Sequence, residues 1–435
     1  MSHASSPAPP PPWPWGSGIR LLFLLLLLGG CGLEEVVLEP FRGATPHERY
    51  LEALERSGLQ DSALALQWDR VAEGAFRYPV EPTLPFVEEG RFSAAEPTSL
   101  AYRFELRRGQ RLQVVLTRPG SPPTENAERH LDGHPGRVFI ELFRLRDPEG
   151  ERSPLGRPLH VAWTDPPADT LTYEARTTAA FLLRVQPELL VEGDFALEVR
   201  TGPSMAFPVE AHGTGHIQSR FGAPRDGGRR VHHGVDIFAP RGTPVRAAGP
   251  GVVTRVRETP VGGRVVWVRD SDRSLSRYYA HLDSQAVEEG TRVSAGDLLG
   301  TVGNTGNART TPPHLHFGLY VRGEGAVDPW DFLHAPVTRP RTLQVDPEGF
   351  LTWARLRDPR TDFRRGPAGP AYPLETTPES VRIVAGSGAW YRVRLPDGRE
   401  GYTAADRLDP IPRETAPPPG VASRLPLPPP ADLSP

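Results

Sequence analysis

Among the 13 histidines of this 435-residue chain, five lie close together in sequence with acid and glycine neighbours that suggest joint chemistry. The first group is His232-His-Gly-Val-Asp236. Gly234 and β-branched Val235 disfavour a helix here. In an extended segment an even spacing puts His232 and Asp236 on one face, free to converge on a cation, while His233 and Val235 point away. The second group, His314-Leu-His-Phe-Gly318, has a clean period of two: His314, His316 and Gly318 share one face, and Leu315, Phe317 and Leu319 form the apolar face that packs on a core. Neighbouring imidazoles on a sheet face need a partner for their nitrogens, which a metal, a carboxylate or water supplies. A third imidazole, His281, ends the alternating segment Arg277-Tyr-Tyr-Ala-His281. Two neutral imidazoles and a carboxylate suit zinc, and three protein ligands leave a fourth tetrahedral position for the water that a catalytic site requires.

The elements that must position these groups are short strands, so the fold expected is mainly β. Residues 210–335 carry the chemistry. Ahead of them, residues 90–203 show dense alternating strands such as Ala101–Leu106, Arg111–Leu116, Val138–Leu142 and Phe195–Val199, separated by turns rich in Gly, Pro and Asp. This predicts an antiparallel β-sandwich. His130 and His134, in a polar Gly-rich loop, read as solvated and not metal-bound. Between residues 45 and 76 the apolar spacing turns helical, with Gly58 dividing it into two helices. After residue 341 a smaller β module runs to 412, with a hairpin at Pro396-Asp397-Gly398. A Pro-rich stretch, 413–435, has the composition of a disordered tail.

Beyond single residues, the ordered series Ser219-Arg-Phe-Gly222, His232-His-Gly-Val-Asp236, Tyr279-Ala-His-Leu282 and His314-Leu-His-Phe317 resembles the M23 metallopeptidases, also called LytM or lysostaphin-like endopeptidases. The link Asn304–Pro313 departs from the shorter Gly-rich link usual in that family but removes no ligand. The resemblance implies that zinc is held by His232, Asp236 and His316, that His281 and His314 sit beside the zinc-bound water, and that the substrate is a peptidoglycan cross-linking peptide. His314 is then the candidate general base and His281 the candidate for holding the oxyanion, although the two roles are exchangeable on sequence grounds. The 90–203 stretch resembles jelly-roll modules of secreted bacterial peptidases, and 341–412 resembles bacterial SH3-like barrels. In the latter, Trp390, Tyr391 and Tyr402 can be read either as a peptide-stacking surface or as fillers of a small core, and alternating strands favour the second reading.

Composition bounds the remaining classes. Basic and acidic residues nearly balance, 50 against 53, with no lysine, so charge gives no reason to invoke nucleic acid. Residues 21–30 read Leu-Leu-Phe-Leu-Leu-Leu-Leu-Leu-Gly-Gly and end at Cys31, the chain's one cysteine. As a helix such a run reaches only about 15 Å, half a hydrocarbon core, which suits a signal peptide and not a span. The run Leu28-Gly29-Gly30-Cys31 resembles a bacterial lipobox. The expectation is therefore a lipoprotein signal peptide at 1–30, an anchor and helical spacer at 31–89, and a cell-envelope location with Cys31 acylated. Two other functions stay open: an envelope factor that binds and activates another cell-wall enzyme, an amidase, and a peptidase acting on proteins.

Overall fold

This computed structural model describes residues 43–412 apart from 119–135, 146–157, 166–167, 271, 336–340, 359–362, 368, 373 and 375–377. The expected signal peptide, Cys31, His130, His134 and the Pro-rich tail lie outside the described residues.

The described chain opens with two helices, α1 (Pro46–Arg56) and α2 (Ala63–Gly74), separated by a turn where Gly58 takes φ 66°. Thr45 and Glu48 cap α1 reciprocally, each side chain bonding the other's backbone N–H, with Pro46 at the first helical position. Ser62 caps α2. Both helices lie on the sandwich: Trp68 is fully buried, donates its indole N–H to the Pro187 carbonyl at 2.6 Å and stacks on His47.

Eight strands follow: β1 (Phe86–Phe92), β2 (Leu100–Leu106), β3 (Gln110–Thr117), β4 (Val138–Arg144), β5 (Leu159–Trp163), β6 (Thr170–Glu174), β7 (Ala179–Pro187) and β8 (Gly193–Pro203). They form two facing sheets, β2-β7-β4-β5 and β1-β8-β3-β6, whose alternate apolar residues fill one core that includes Leu100, Leu112, Val114, Phe181 and Leu197. This is the sandwich that the period-two patterning predicts. Its first strand starts ahead of residue 90 because Phe86 already faces that core.

The next region contains β9 (Ile217–Ser219), β10 (Pro224–Arg225), β11 (Arg230–Val231), β12 (Val235–Phe238), β13 (Pro244–Arg246), β14 (Gly251–Thr259), β15 (Gly263–Asp270), β16 (Leu275–Gln285), β17 (Arg292–Val293), β18 (Leu298–Val302), β19 (His314–Val321), β20 (Gly325–Val327) and the short helix α3 (Trp330–Leu333). Strands β17-β14-β15-β16-β19-β12-β9 run as one antiparallel sheet, with β10 and β11 forming a separate hairpin. One sheet face is the core, where Val235, Ile237, Val266, Val268, Tyr279, Leu315, Phe317 and Leu319 are all fully buried. The other face carries the histidines. Two bidentate ion pairs tie this region to the sandwich: Arg273 with Glu174, at 2.7 and 2.6 Å, and Arg108 with Glu324, at 2.6 and 2.8 Å. Glu324 lies beyond the end of β19 opposite to the one bearing His314, so this ion pair is made away from the histidine end of the sheet.

The C-terminal module holds β21 (Trp353–Leu356), β22 (Phe363–Arg364), β23 (Ala371–Tyr372), β24 (Val381–Ser387), β25 (Trp390–Arg394), β26 (Glu400–Ala404) and β27 (Leu408–Pro410) around a small core of its own. It does not stand apart: β24 pairs antiparallel with β1, so sandwich and C-terminal strands form a single sheet. Tyr391 and Tyr402 are buried, their hydroxyls donating to the Asp346 carbonyl and to Glu88, and Trp390 packs against the sandwich core. These rings are packing residues, and the peptide-stacking reading of Tyr391 and Tyr402 fails because neither has a free face.

Candidate active site

Asp236 and His316 meet because β12 and β19 are antiparallel neighbours whose register sets these two residues opposite each other. The next strand, β16, sets Ala280 opposite His316 on the far side. His232 arrives from outside the sheet, its backbone held in both directions by Gly222 and Ala223. Gly234 makes that approach feasible. A Cβ there would lie 2.5 Å from the Phe317 carbonyl and 2.9 Å from the His316 ring, so a side chain would displace one of them.

His281 reaches the site by a different device. Strict alternation from the core residue Tyr279 would send His281 into the core. Instead β16 bulges, with Ala280 and His281 both falling opposite the single residue Val265, and His281 takes φ 62°. Histidine is among the side chains that tolerate this conformation, and the bulge re-aims the ring onto the open face. Its centroid there lies 5.0 Å from that of His314 and 6.0 Å from that of His316.

Three ligand-type atoms form a closed triangle: His232 Nε2 to His316 Nδ1 is 2.9 Å, His316 Nδ1 to Asp236 Oδ1 is 3.0 Å, and His232 Nε2 to Asp236 Oδ1 is 3.0 Å. His314 Nε2 stands 4.0 Å from the same Asp236 oxygen. Backbone carbonyls fix the tautomers. His232 Nδ1 is 2.9 Å from the Arg220 carbonyl, His281 Nδ1 2.9 Å from that of Thr305, and His314 Nδ1 2.9 Å from that of Pro312. A carbonyl oxygen only accepts, so each Nδ1 carries its ring's proton and each neutral ring keeps a lone pair on Nε2. His316 alone turns Nδ1 inward.

This donor set tests whether a cation fits. At the triangle, His232 offers a lone pair and Asp236 a carboxylate oxygen, while neutral His316 has at most one proton at Nδ1 for two acceptors. Protein hydrogen bonding therefore cannot satisfy all three sides at once. A zinc ion held by His232, Asp236 and His316 would satisfy all three atoms, and the Arg220 carbonyl on His232 Nδ1 is the usual kind of outer support for such a ligand. Burial alone would raise the Asp236 carboxyl, but the close approach of the His232 and His316 imidazoles outweighs it and holds the group far below the ordinary carboxylate range. Burial, reinforced by the neighbouring imidazoles His314 and His316, lowers His281 to about 4. Burial likewise lowers His316. Burial thus favours the neutral form of His281 and His316, and for His316 that is the form in which an imidazole donates a lone pair to a metal.

The five residues singled out in the sequence are brought together. The sequence reading missed Arg225, which donates from Nη2 to Asp236 Oδ2 at 2.6 Å and to Ser219 Oγ at 2.7 Å; Ser219 Oγ lies 3.2 Å from His232 Nδ1. Only the Gly227-Gly228 turn between β10 and β11 hints at the hairpin that brings it in.

Residues 230–329 match the profile of Peptidase family M23. The L-Ala–D-Glu endopeptidase of Bacillus subtilis (strain 168) is 36% identical over 141 residues, which are 30% of this chain and 43% of that protein. Peptidoglycan DD-endopeptidase ShyC of Vibrio cholerae is 41% identical over 100 residues, 23% of this chain and 22% of its own length. The solved catalytic domain of the antimicrobial peptidase lysostaphin from Staphylococcus simulans is 33% identical, with 25% of this chain and 85% of that one covered at a TM-score of 0.24. The chain thus spans less than half the length of these two curated relatives. With the histidine and aspartate segments falling inside the matched stretch, this chain carries a peptidase family M23 domain at residues 230–329.

Proposed function

We propose that the domain is a zinc-dependent endopeptidase that hydrolyses amide bonds in peptidoglycan cross-linking peptides. The single observation that carries this reading is the closed triangle of His232, Asp236 and His316 atoms, with two further Nε2-presenting imidazoles beside it. Zinc held in such a site supplies Lewis acidity and a hydroxide-like nucleophile at neutral pH. His314 is assigned the proton transfer. Its own proton is committed to Pro312, so Nε2 can accept a proton from the attacking water and return it to the leaving amine nitrogen. His281 is assigned to the oxyanion; its ring is neutral, so it donates from Nε2 only in the tautomer that gives up the Nδ1 bond to the Thr305 carbonyl. The wall as substrate is supported by the activities for which the B. subtilis and V. cholerae relatives are named.

His316→Ala is expected to abolish stoichiometric zinc uptake and the release of peptide products from purified sacculi, identified by mass spectrometry. A wild-type protein that loads zinc yet releases nothing from sacculi, or digests only casein in a parallel assay, sinks the wall-endopeptidase reading. We also propose that the enzyme is a cell-envelope lipoprotein anchored through Cys31, on the strength of the Leu28-Gly29-Gly30-Cys31 segment. Metabolic labelling with radioactive palmitate should mark the wild type and leave Cys31→Ala unlabelled; equal labelling removes the anchor.

A further inference from the structure

The sheet face that bears the zinc-type triangle continues into three aromatic rings that the proposed chemistry does not use. Trp267 of β15, Tyr278 of β16 and Tyr320 of β19 lie on adjacent strands, with Trp267 opposite Tyr278, Tyr278 opposite Gly318, and Tyr320 one step further along. Their centroids are 4.5 Å apart for Trp267 and Tyr278, 5.1 Å for Trp267 and Tyr320, and 6.3 Å for the two tyrosines. Interplanar angles of 36°, 48° and 81° show that the three rings are not coplanar. Tyr278 also meets His316 edge-on at 5.8 Å, so the aromatic face and the triangle are continuous. All three residues are half-buried.

Two details distinguish this cluster from ordinary packing. Tyr50, Tyr102, Tyr279, Tyr372, Tyr391 and Tyr402 each have a hydrogen-bonded hydroxyl, whereas among the described residues the Tyr278 and Tyr320 hydroxyls have no partner. Gly318, between the triangle and Tyr320, lets the Tyr320 ring lie back over the strand; a Cβ there would come within 3.1 Å of that ring and of the His233 carbonyl.

The strands beneath decide which ligand chemistry suits the face. β15, β16 and β19 are interior to the sheet, paired on both sides, so they offer no free backbone edge to a peptide strand. Recognition has to come from ring faces and two hydroxyls. That combination fits a pyranose, whose C–H face stacks on an aromatic ring while its hydroxyls bond at the edges. From His316 to Tyr320 the strand advances about 13 Å, room for a sugar ring and its substituents beside the bond being cut.

We propose that Trp267, Tyr278 and Tyr320 form a carbohydrate subsite that holds a pyranose ring of the glycan attached to the cleaved peptide. This inference rests on the wall-endopeptidase reading for its substrate, and the test separates the two. Cross-linked muropeptides with their disaccharides are compared with the same peptides after enzymatic removal of the sugars. Trp267→Ala and Tyr320→Ala should lower the ratio of kcat/KM for sugar-bearing over sugar-free substrate by about tenfold, chiefly through KM, about the worth of one aromatic contact. Tyr278→Phe, which keeps the ring and removes the hydroxyl, should lower the ratio by a smaller factor. Zinc content of each variant confirms that the domain is folded. A ratio that stays at the wild-type value in both alanine variants overturns the subsite, whatever the absolute rates. Saturation-transfer NMR with N,N′-diacetylchitobiose gives a readout without cleavage: transfer in the wild type that disappears in Trp267→Ala supports the subsite, and its absence in the wild type counts against it. Failure of the wild type to cut either peptide sinks the endopeptidase reading and leaves the NMR result to decide the subsite.

Discussion

Arg225 governs how the Asp236 carboxylate presents itself. Its guanidinium holds Oδ2 at 2.6 Å, which leaves Oδ1 as the oxygen facing His232 and His316. Through Ser219 the same guanidinium reaches the outer nitrogen of His232, so one cation orients two of the three ligand side chains. Arg225→Ala is therefore expected to weaken zinc affinity by about 10–100-fold, the usual cost of losing such support. Competition with a chromophoric chelator measures this directly, and an unchanged zinc Kd shows that Arg225 does not position the ligands. How much of the site could be read from residues alone follows from local geometry. His314 and His316 obey the strand period, and the sequence patterning located them. Arg225 obeys no period, because it enters on a two-residue strand whose place depends on the turn at Gly227 and Gly228. The orientation of His281 was likewise hidden, since a positive φ reverses the face that alternation assigns.

At the level of elements, the sandwich strands follow their sequence period closely while the helical stripe is only partly buried, with Leu59 and Leu66 exposed, and the less obvious feature is what α1 buries. His47, in its first turn, is buried on Trp68 and Phe139 and lies 3.1 Å from Gln186 Oε1. Burial, aided by the Arg184 guanidinium, lowers its pKa to about 3 against 6.5 in the unfolded chain, while Gln186 and Glu48 pull the other way and His160 adds a small further lowering. Between those values the unfolded state binds the proton and the folded state does not. Stability is then present above about pH 6.5 and is lost progressively as pH falls toward 3. The wild-type Tm should accordingly fall through this window, and His47→Phe, which cannot take up a proton, should flatten that part of the profile. Parallel Tm profiles of the two proteins would show that His47 is not the titrating group. Trp68 and the strands facing α1 were visible as an apolar stripe, but the histidine's burial depends on Gln186, which is distant in sequence.

The whole molecule is organised by a pairing that no local signal announces. β1 lies between β8 and β24, joining Glu89 to Gly386 and Gly90 to Ala385 across nearly the length of the described chain. Period and turn chemistry delimit each module, whereas an inter-module pairing of this separation depends on edge complementarity that neither reports. The junction is reinforced by Glu88, fully buried in the sandwich, which accepts from Tyr102 within the sandwich and from Tyr402 and Arg392 of the C-terminal module. Arg392 is itself buried and also bonds Glu400. The C-terminal module is thus built into the sandwich and is not a tethered appendage. Glu400 also keeps Arg394 at 2.8 Å, so removing the Arg392 guanidinium leaves chiefly Glu88 with uncompensated buried charge, a loss of about 3–5 kcal/mol for a broken buried pair. Arg392→Ala should therefore lower, in differential scanning calorimetry, one shared transition for the sandwich and the C-terminal strands, while Arg392→Met loses the same charge but recovers part of the packing and falls less. Zinc-dependent stabilisation of the peptidase domain should survive in both variants, since Arg392 touches none of its ligands. Two separate transitions in the wild type, with only the C-terminal one moved by Arg392→Ala, would show that the shared sheet does not couple the modules.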